Sequence, residues 1–403
     1  MKRFIFICLT SLAVAIMADE SSLQDVLKKG NDQFTAKMFT EVAKANPSKS
    51  FVLSAFSVLT PLAQIALASA GESHDELLDA IGMPNDNVTK SVFSYANSKL
   101  RSAKDITLKT ASKIYVGKDY ELNPEFSVIS RDTFGSEVEN VDFVKNEETA
   151  KKVNAWVEDQ TNNRIKDLVD PSSLDGSTKA ILVNAIYFKG LWKEPFSTYS
   201  TVERDFHVSK NQVAKVQMMY RKGDYKYADS GELNSQILEI PYKGDESSLV
   251  VILPREIDGI EAVEEKLKDP SVLNRALSDL YETEVEVYLP KFKTETTTNL
   301  KETLLKMKVT RMFSAASARI EKLLKNVGGD LYISDAIQKA FIEVNEEGAE
   351  ASAANVFGVS YASYVNIEPA PVFNADRPFY YLIRSRYRRW TLGSAIKTSH
   401  TNI

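Results

Sequence analysis

A catalyst needs a nucleophile, a base or metal ligands at workable spacing, and this chain of 403 residues offers almost none. Its three histidines are scattered. His74 sits at a polar helix start, His207 lies in the strand-like Phe206-His207-Val208, and His400 is close to the terminus. There is no His-Glu-x-x-His pair and no Gly-x-Ser-x-Gly elbow. A glycine-rich loop ending in Lys-Ser/Thr is also absent, and Gly328-Gly329 reads as a turn. The single cysteine, Cys8, lies in an apolar leader, so neither disulfides nor thiol chemistry are expected of a chain that has lost it. Carboxylates are plentiful, but nothing in the sequence brings a pair together. The expectation is a protein that is not an enzyme and that needs no cofactor and no metal.

One stretch is instead built to be acted upon. Ala340-Phe341-Ile342-Glu343-Val344 reads as a strand in the middle of a sheet, with apolar residues on both faces. Asn345-Glu346-Glu347-Gly348 then breaks it, and five of the six residues from Ala349 to Ala354 are Ala or Ser. Alanine favours helix, but no leucine or methionine stripe is present for such a helix to bury. Two readings remain. One is a flexible small-residue loop running to about Pro369. The other is a segment held out now and fit to become a strand later, with Ala349, Ala351 and Ala353 on one face.

The run Glu346-Glu347-Gly348-Ala349-Glu350-Ala351-Ser352-Ala353-Ala354 resembles the proximal hinge of the reactive loop in inhibitory serpins. Downstream, Phe373-Asn374-Ala375-Asp376-Arg377-Pro378-Phe379-Tyr380-Tyr381-Leu382-Ile383 is similar to that family's C-terminal signature. The resemblance covers nearly the whole chain after its leader. It implies an α+β serpin fold: three β-sheets surrounded by eight or nine helices, with an exposed reactive loop at about 346–369. It also implies a monomeric suicide inhibitor of serine proteases, trapping the acyl-enzyme as the cleaved loop inserts into the main sheet. The family spacing from Gly348 places the scissile bond between Ala362 and Ser363, with Tyr361 and Tyr364 as alternates. Alanine suits an elastase-like pocket and tyrosine a chymotrypsin-like one. No Lys or Arg lies between Gly348 and Pro369, which argues against trypsin-like targets. A non-inhibitory carrier or binding serpin is the alternative, but such relatives tend to carry bulky, charged or proline-bearing hinges.

The same resemblance places Ser54, Ser57, Asn184 and Gln338 where the central strands part, and Trp192 near where the loop first enters. Ser54 and Ser57 also read as helix N-caps. Asn184, polar inside an apolar strand, must find hydrogen-bond partners if buried. Many relatives carry histidine at the position of Gln338, whose amide can still donate and accept.

The surroundings fit a secreted chain. Met1-Lys2-Arg3 followed by apolar Phe4 to Ile16 reads as a secretory signal ending between Ala15 and Ala18, leaving one domain from about 19 to 403. Losing Lys2 and Arg3 takes the formal charge from −5 to −7. Such a balance speaks against nucleic acid, and no later stretch is long and apolar enough for a membrane. The cluster Arg384 to Arg389 reads as a solvated strand face. Asn87-Val88-Thr89 is a glycosylation sequon placed by its composition in a polar loop. The lack of cysteine after the leader, together with the loop, also resembles insect haemolymph serpins.

The elements that must position the loop are legible by periodicity. They are a helix over Leu23 to Ala45, a buried one from Val58 to Ala70 closed by Gly71, and an amphipathic one from Val153 to Leu168. A continuous apolar strand runs from Ala180 to Gly190, paired strands flank Lys243-Gly244-Asp245, and a helix follows Leu300.

Overall fold

The computed structural model describes residues 2–47, 49–102, 106–326, 330–347, 369–385 and 392–396. Within these, side chains are described except at 2–19, 100–102, 106–108, 385 and 392–396. The helices among them are α1 (Lys2–Ala45), α2 (Ala55–Ala68), α3 (Gly71–Ile81), α4 (Asp86–Ser102), α5 (Pro124–Ile129), α6 (Asn146–Gln160), α7 (Ile260–Leu267), α8 (Pro270–Ser278) and α9 (Leu300–Lys306).

Two hydrogen-bonded sheets carry the rest. The five-stranded one runs β10 (Phe292–Asn299), β11 (Asp335–Val344), β4 (Ala180–Gly190), β2 (Ile106–Gly117), β3 (Glu137–Val141). The nine-stranded one runs β1 (Phe51–Val52), β14 (Leu392–Ile396), β13 (Phe379–Ser385), β8 (Ser247–Pro254), β7 (Ser235–Pro241), β6 (Gln212–Ser230), β9 (Tyr281–Pro290), β12 (Val372–Asn374). Beside these, β5 (Val202–Ser209) also pairs with β6. The α+β class holds. Where three sheets are expected, the 19-residue β6 pairs with β5, β9 and β7 in turn, and its hydrogen bonds join two of the three into one.

The centre of the five-stranded sheet sets up the function. β11 and β4 are parallel neighbours over eight register pairs, from Asp335 opposite Ile181 to Ile342 opposite Phe188. Their outer partners, β10 and β2, are both antiparallel to them. Every second residue of β11 from Ala336 to Val344 is fully buried and the alternate ones are half-buried, which accounts for the two-faced apolar pattern.

Buried α2 packs its Leu, Ile and Ala side chains into the largest core cluster. It starts three residues earlier than the pattern suggested, because Ser54 caps it by accepting a hydrogen bond from Ser57 N at 3.2 Å. It also ends sooner: the Ser69 hydroxyl donates to Ile65 O, and Gly71 opens α3 instead of closing α2. The helix expected to reach Leu168 ends at Gln160 as α6. Asn162 and Asn163 follow in the left-handed region at φ 52° and 58°, which terminates a right-handed helix. Ile165 and Leu168 still point into the core from the turn beyond. At the N-terminus, the helix expected from Leu23 is continuous from Lys2.

Candidate functional site

The four residues expected beneath the parting strands form one buried network. Ser54, Ser57, Asn184 and Gln338 are each at most 3% exposed. Gln338 Nε2 donates to Asn184 Oδ1 at 2.7 Å, to Ser54 O at 2.9 Å and to Ser57 Oγ at 3.0 Å, three acceptors sharing two protons. Gln338 Oε1 accepts from Ser54 N at 3.1 Å. Asn184 Nδ2 donates to Ser57 O at 3.0 Å, and Ser57 Oγ donates to Asn184 Oδ1 at 2.7 Å. The two strand amides therefore bond to each other and, separately, to the first turn of α2. Parting β4 from β11 along this seam would break the Asn184–Gln338 bond along with the eight-pair ladder, whereas each amide has separate bonds to α2. No buried side-chain polar atom of these four residues is left unpaired.

The upper end of the seam is pinned by the hinge itself. Glu346 is 6% exposed. Its carboxylate accepts from Lys291 Nζ at 2.7 and 3.0 Å and from Thr201 Oγ1 at 2.8 Å, while its carbonyl accepts from Phe196 N at 2.9 Å. Burial works against the charge, but the bonds from Lys291, its own backbone and Thr201 outweigh it and hold the carboxyl below its ordinary range. Trp192 donates its indole N–H to Asn345 O at 2.7 Å and its backbone N–H to Glu347 O at 3.3 Å. The ring stacks on Tyr242 with centroids 4.6 Å apart and planes 9° from parallel. Gly190 makes room for this stack, since a Cβ there would lie 2.6 Å from Tyr242 Cδ1. Lys291, Thr201 and Tyr242 were not singled out in the sequence, because nothing local marks a surface lysine or threonine as the partner of a distant glutamate.

α6 lies over the same seam. Ala150, Val153 and Val157 share a cluster with Ala111 and Tyr115 of β2 and Val183 and Ala185 of β4, and half-buried Ile337 and Phe341 of β11 pack against it. On the far side of the seam, Lys339 Nζ of β11 donates to Lys166 O at 2.7 Å, beyond the end of α6. On the near side, Lys113 Nζ of β2 sits 4.8 Å from the Trp156 ring centre and 2.9 Å from Glu139 Oε2.

Of the remaining expected site residues, Gly348, Ala349, Glu350, Ala351, Ser352, Ala353 and Ala354 lie outside the described residues, as do Tyr361, Ala362, Ser363 and Tyr364. Glu346 and Glu347 alone represent the hinge. Asn87 falls in the first turn of α4 instead of a loop; it is exposed, while Thr89 of its sequon is buried with its hydroxyl on Asn85 O. Arg384 pairs with Glu239 at 3.2 Å, and the rest of its basic cluster is outside the described side chains.

His74 is bonded to Asp86 and Asp75, and the His207 backbone N–H donates to Asp376 O at 2.7 Å. Among the described residues no three acids, histidines or cysteines converge as a metal site, and no helix is long and apolar enough to cross a membrane.

The site thus combines a central parallel strand pair, a buried floor of small polar residues and a hinge start held by Lys291, Thr201 and Trp192. The family described as Serpin (serine protease inhibitor) matches residues 29–392, and the chain belongs to it. It is similar to alaserpin of Manduca sexta, 57% identical over 94% of this chain and 96% of the relative. It is also similar to antitrypsin of Bombyx mori, at 56% over 94% and 96%. Among solved structures it resembles Serpin48 of the insect Tenebrio molitor, with a TM-score of 0.84 and 33% identity, covering 93% of this chain and 99% of that one.

Proposed function

We propose that this serpin is secreted after removal of its leader and traps elastase- or chymotrypsin-like serine proteases as covalent complexes. The observation that carries the reading is the parallel β4–β11 pair, flanked by antiparallel strands and continuous at Val344 with a hinge of small residues. A strand folding back from Gly348 between them runs antiparallel to both. It replaces one parallel ladder by two antiparallel ones, the slightly stronger pairing. The net gain is about one ladder, or about 8 kcal/mol at about 1 kcal/mol per hydrogen bond. Fifteen or so inserted residues at about 3.3 Å each carry the cut end about 50 Å.

The chemistry belongs to the protease. Its serine oxygen adds to the carbonyl carbon of Ala362, the bond to the nitrogen of Ser363 breaks, and that nitrogen leaves with the proton relayed from the serine. The ester to Ala362 remains. Insertion then drags the protease away and distorts it before water can hydrolyse the ester. The uncleaved state persists because escape is slow, so its durability is a rate. The name of the relative antichymotrypsin-2 of Bombyx mori supports inhibition of a chymotrypsin-like enzyme, while that of antitrypsin supports serine protease inhibition only in general.

The test is incubation with pancreatic elastase and, separately, chymotrypsin, followed by denaturing electrophoresis and the mass of the released peptide. A denaturant-resistant complex with a peptide beginning at Ser363 is expected. A peptide beginning at Ala362 or Val365 moves the specificity to Tyr361 or Tyr364. Cleavage without complex by both enzymes overturns the proposal.

A further inference from the structure

Away from the seam, one histidine is set between two carboxylates. His74, in the first turn of α3, has Nδ1 3.0 Å from Asp75 Oδ1 and Nε2 2.6 Å from Asp86 Oδ1. Asp86 opens α4, so the ring bridges two helices. A neutral imidazole carries one N–H and can donate to only one of these oxygens. Its other nitrogen would then turn a lone pair on a carboxylate. Only the imidazolium donates to both, and the geometry is that of the protonated ring. The side chain is 21% exposed, so water reaches it and the proton can come and go.

The charges around the ring are few. Asp75 and Asp86 face it, and Lys322 lies 3.7 Å from Asp86 Oδ2. Glu72 and Glu76, also on α3, are engaged elsewhere. Glu72 pairs with Arg311, and Glu76 accepts from Thr310 N at 2.6 Å and Arg311 N at 2.8 Å. α2, packed against α3, carries no charged residue, and α1 meets the far end of α3, where Gly30 faces Ile81 O and Gly82. Burial works against a charge on the ring. The hydrogen bonds to Asp86 and Asp75 outweigh it and raise the imidazole above its ordinary value, with Lys322 opposing them.

Asn85 fixes the start of α4: its side chain accepts from Val88 N at 3.0 Å and its carbonyl from Thr89 N at 3.0 Å. Next to it, Asp86 is the link to α3. If His74 is neutral, Asp86 keeps Lys322 as its remaining ion pair among the described residues, and the first turn of α4 loses this tie.

We propose that His74 is a proton-operated clasp: as the imidazolium it fastens the first turn of α4 to α3 through Asp86, and loss of the proton releases that turn. The folded ring holds its proton more tightly than the unfolded one, so the clasp contributes fully below the unfolded value of about 6.5. That contribution fades as pH rises through the folded value. Loop insertion, as proposed above, makes no use of it, and the clasp stands without that reading.

Two measurements on the mature protein test this. Nitrogen-15 NMR of the imidazoles, with His74→Gln to assign the signal, follows protonation. Hydrogen exchange of the Val88 and Thr89 amides, corrected for its intrinsic pH dependence, follows the turn. His74 should titrate above about 6.5, with both ring nitrogens protonated below its midpoint. Protection of Val88 and Thr89 should fall about threefold as pH rises through that midpoint, the size expected of a partly exposed ion pair. His74→Gln should show no such fall, and His207→Gln should keep it. Asp86→Asn, which keeps the side-chain volume, should return His74 toward its ordinary value and remove the pH dependence. Titration of His74 at or below that ordinary value overturns the clasp. So does protection that is unchanged across the midpoint, or that falls equally in His74→Gln. An unmoved His74 titration in Asp86→Asn overturns Asp86 as the partner.

Discussion

Asn184 and Gln338 stand directly opposite each other on β4 and β11, with Gln338 Nε2 2.7 Å from Asn184 Oδ1. Both are fully buried, and both reach the N-terminal turn of α2. The contact therefore fastens β4 to β11, floored by Ser54 and Ser57, across the line along which the proposed insertion would divide the sheet.

Gln338→Ala should loosen this fastening. It leaves Ser54 N–H without its acceptor and removes a donor from Asn184, so a loss of about 2 kcal/mol is expected. Urea unfolding followed by circular dichroism should show the first transition moved to lower denaturant. An unmoved midpoint would mean that the amide pair contributes nothing. Gln338→His should keep the pairing at pH 8 and weaken it as the imidazole protonates near pH 6 to 7. The parent protein should show no such step.

Glu346 gives the native protein an acid limit. Its carboxyl is held below the ordinary range when folded, so its contribution to stability is fully present above the unfolded carboxylate value of about 4.3. That contribution fades as pH falls through the folded value. Thermal melts at pH 7 and pH 3.5 should therefore differ more in the parent than in Glu346→Gln. Glu346→Lys, which sets two cations beside each other near Thr201, should open the hinge end and promote self-association on mild heating. Size-exclusion chromatography after incubation at 45 °C reads the outcome, and a purely monomeric Glu346→Lys would refute the pinning role.

How much of this was legible in the sequence divides along physical lines. The strands were readable because burial on two faces leaves long apolar runs, as in Ala180 to Gly190. Asn184 announced itself as a lone amide inside such a run. The family resemblance grouped Ser54, Ser57 and Gln338, and in the structure these residues hydrogen-bond with one another and with Asn184. The end of α6 was missed because its apolar positions continue through a non-helical turn, marked by the positive φ of Asn162, Asn163 and Asp167. The Lys291–Glu346 pair was missed for a different reason. Contacts between residues far apart in the chain depend on sheet register, which periodicity does not encode.

Ala349→Arg tests whether the hinge must pass beneath α6. In the inserted state this position faces the buried side of the sheet, where a guanidinium has no partner and loses its hydration. Insertion should slow below the rate of ester hydrolysis. Elastase or chymotrypsin should then cleave the variant and be released active, with little covalent complex on denaturing gels. An undiminished yield of complex would refute the insertion scheme at its first step.

Trp192→Phe probes the same step from the other side. The substitution keeps an aromatic ring against Tyr242 but deletes the indole N–H that holds Asn345 O at 2.7 Å. One neutral hydrogen bond is worth about 1 kcal/mol. If it must break before the loop enters, its loss raises the insertion rate by about fivefold. Stopped-flow fluorescence of a dye on the loop, mixed with excess protease, measures that rate directly. A faster rate with unchanged stoichiometry places the Trp192–Asn345 bond on the path to insertion. An unchanged rate means that the hinge leaves Trp192 only after the limiting step, and the catch would then lie deeper, at Asn184 and Gln338.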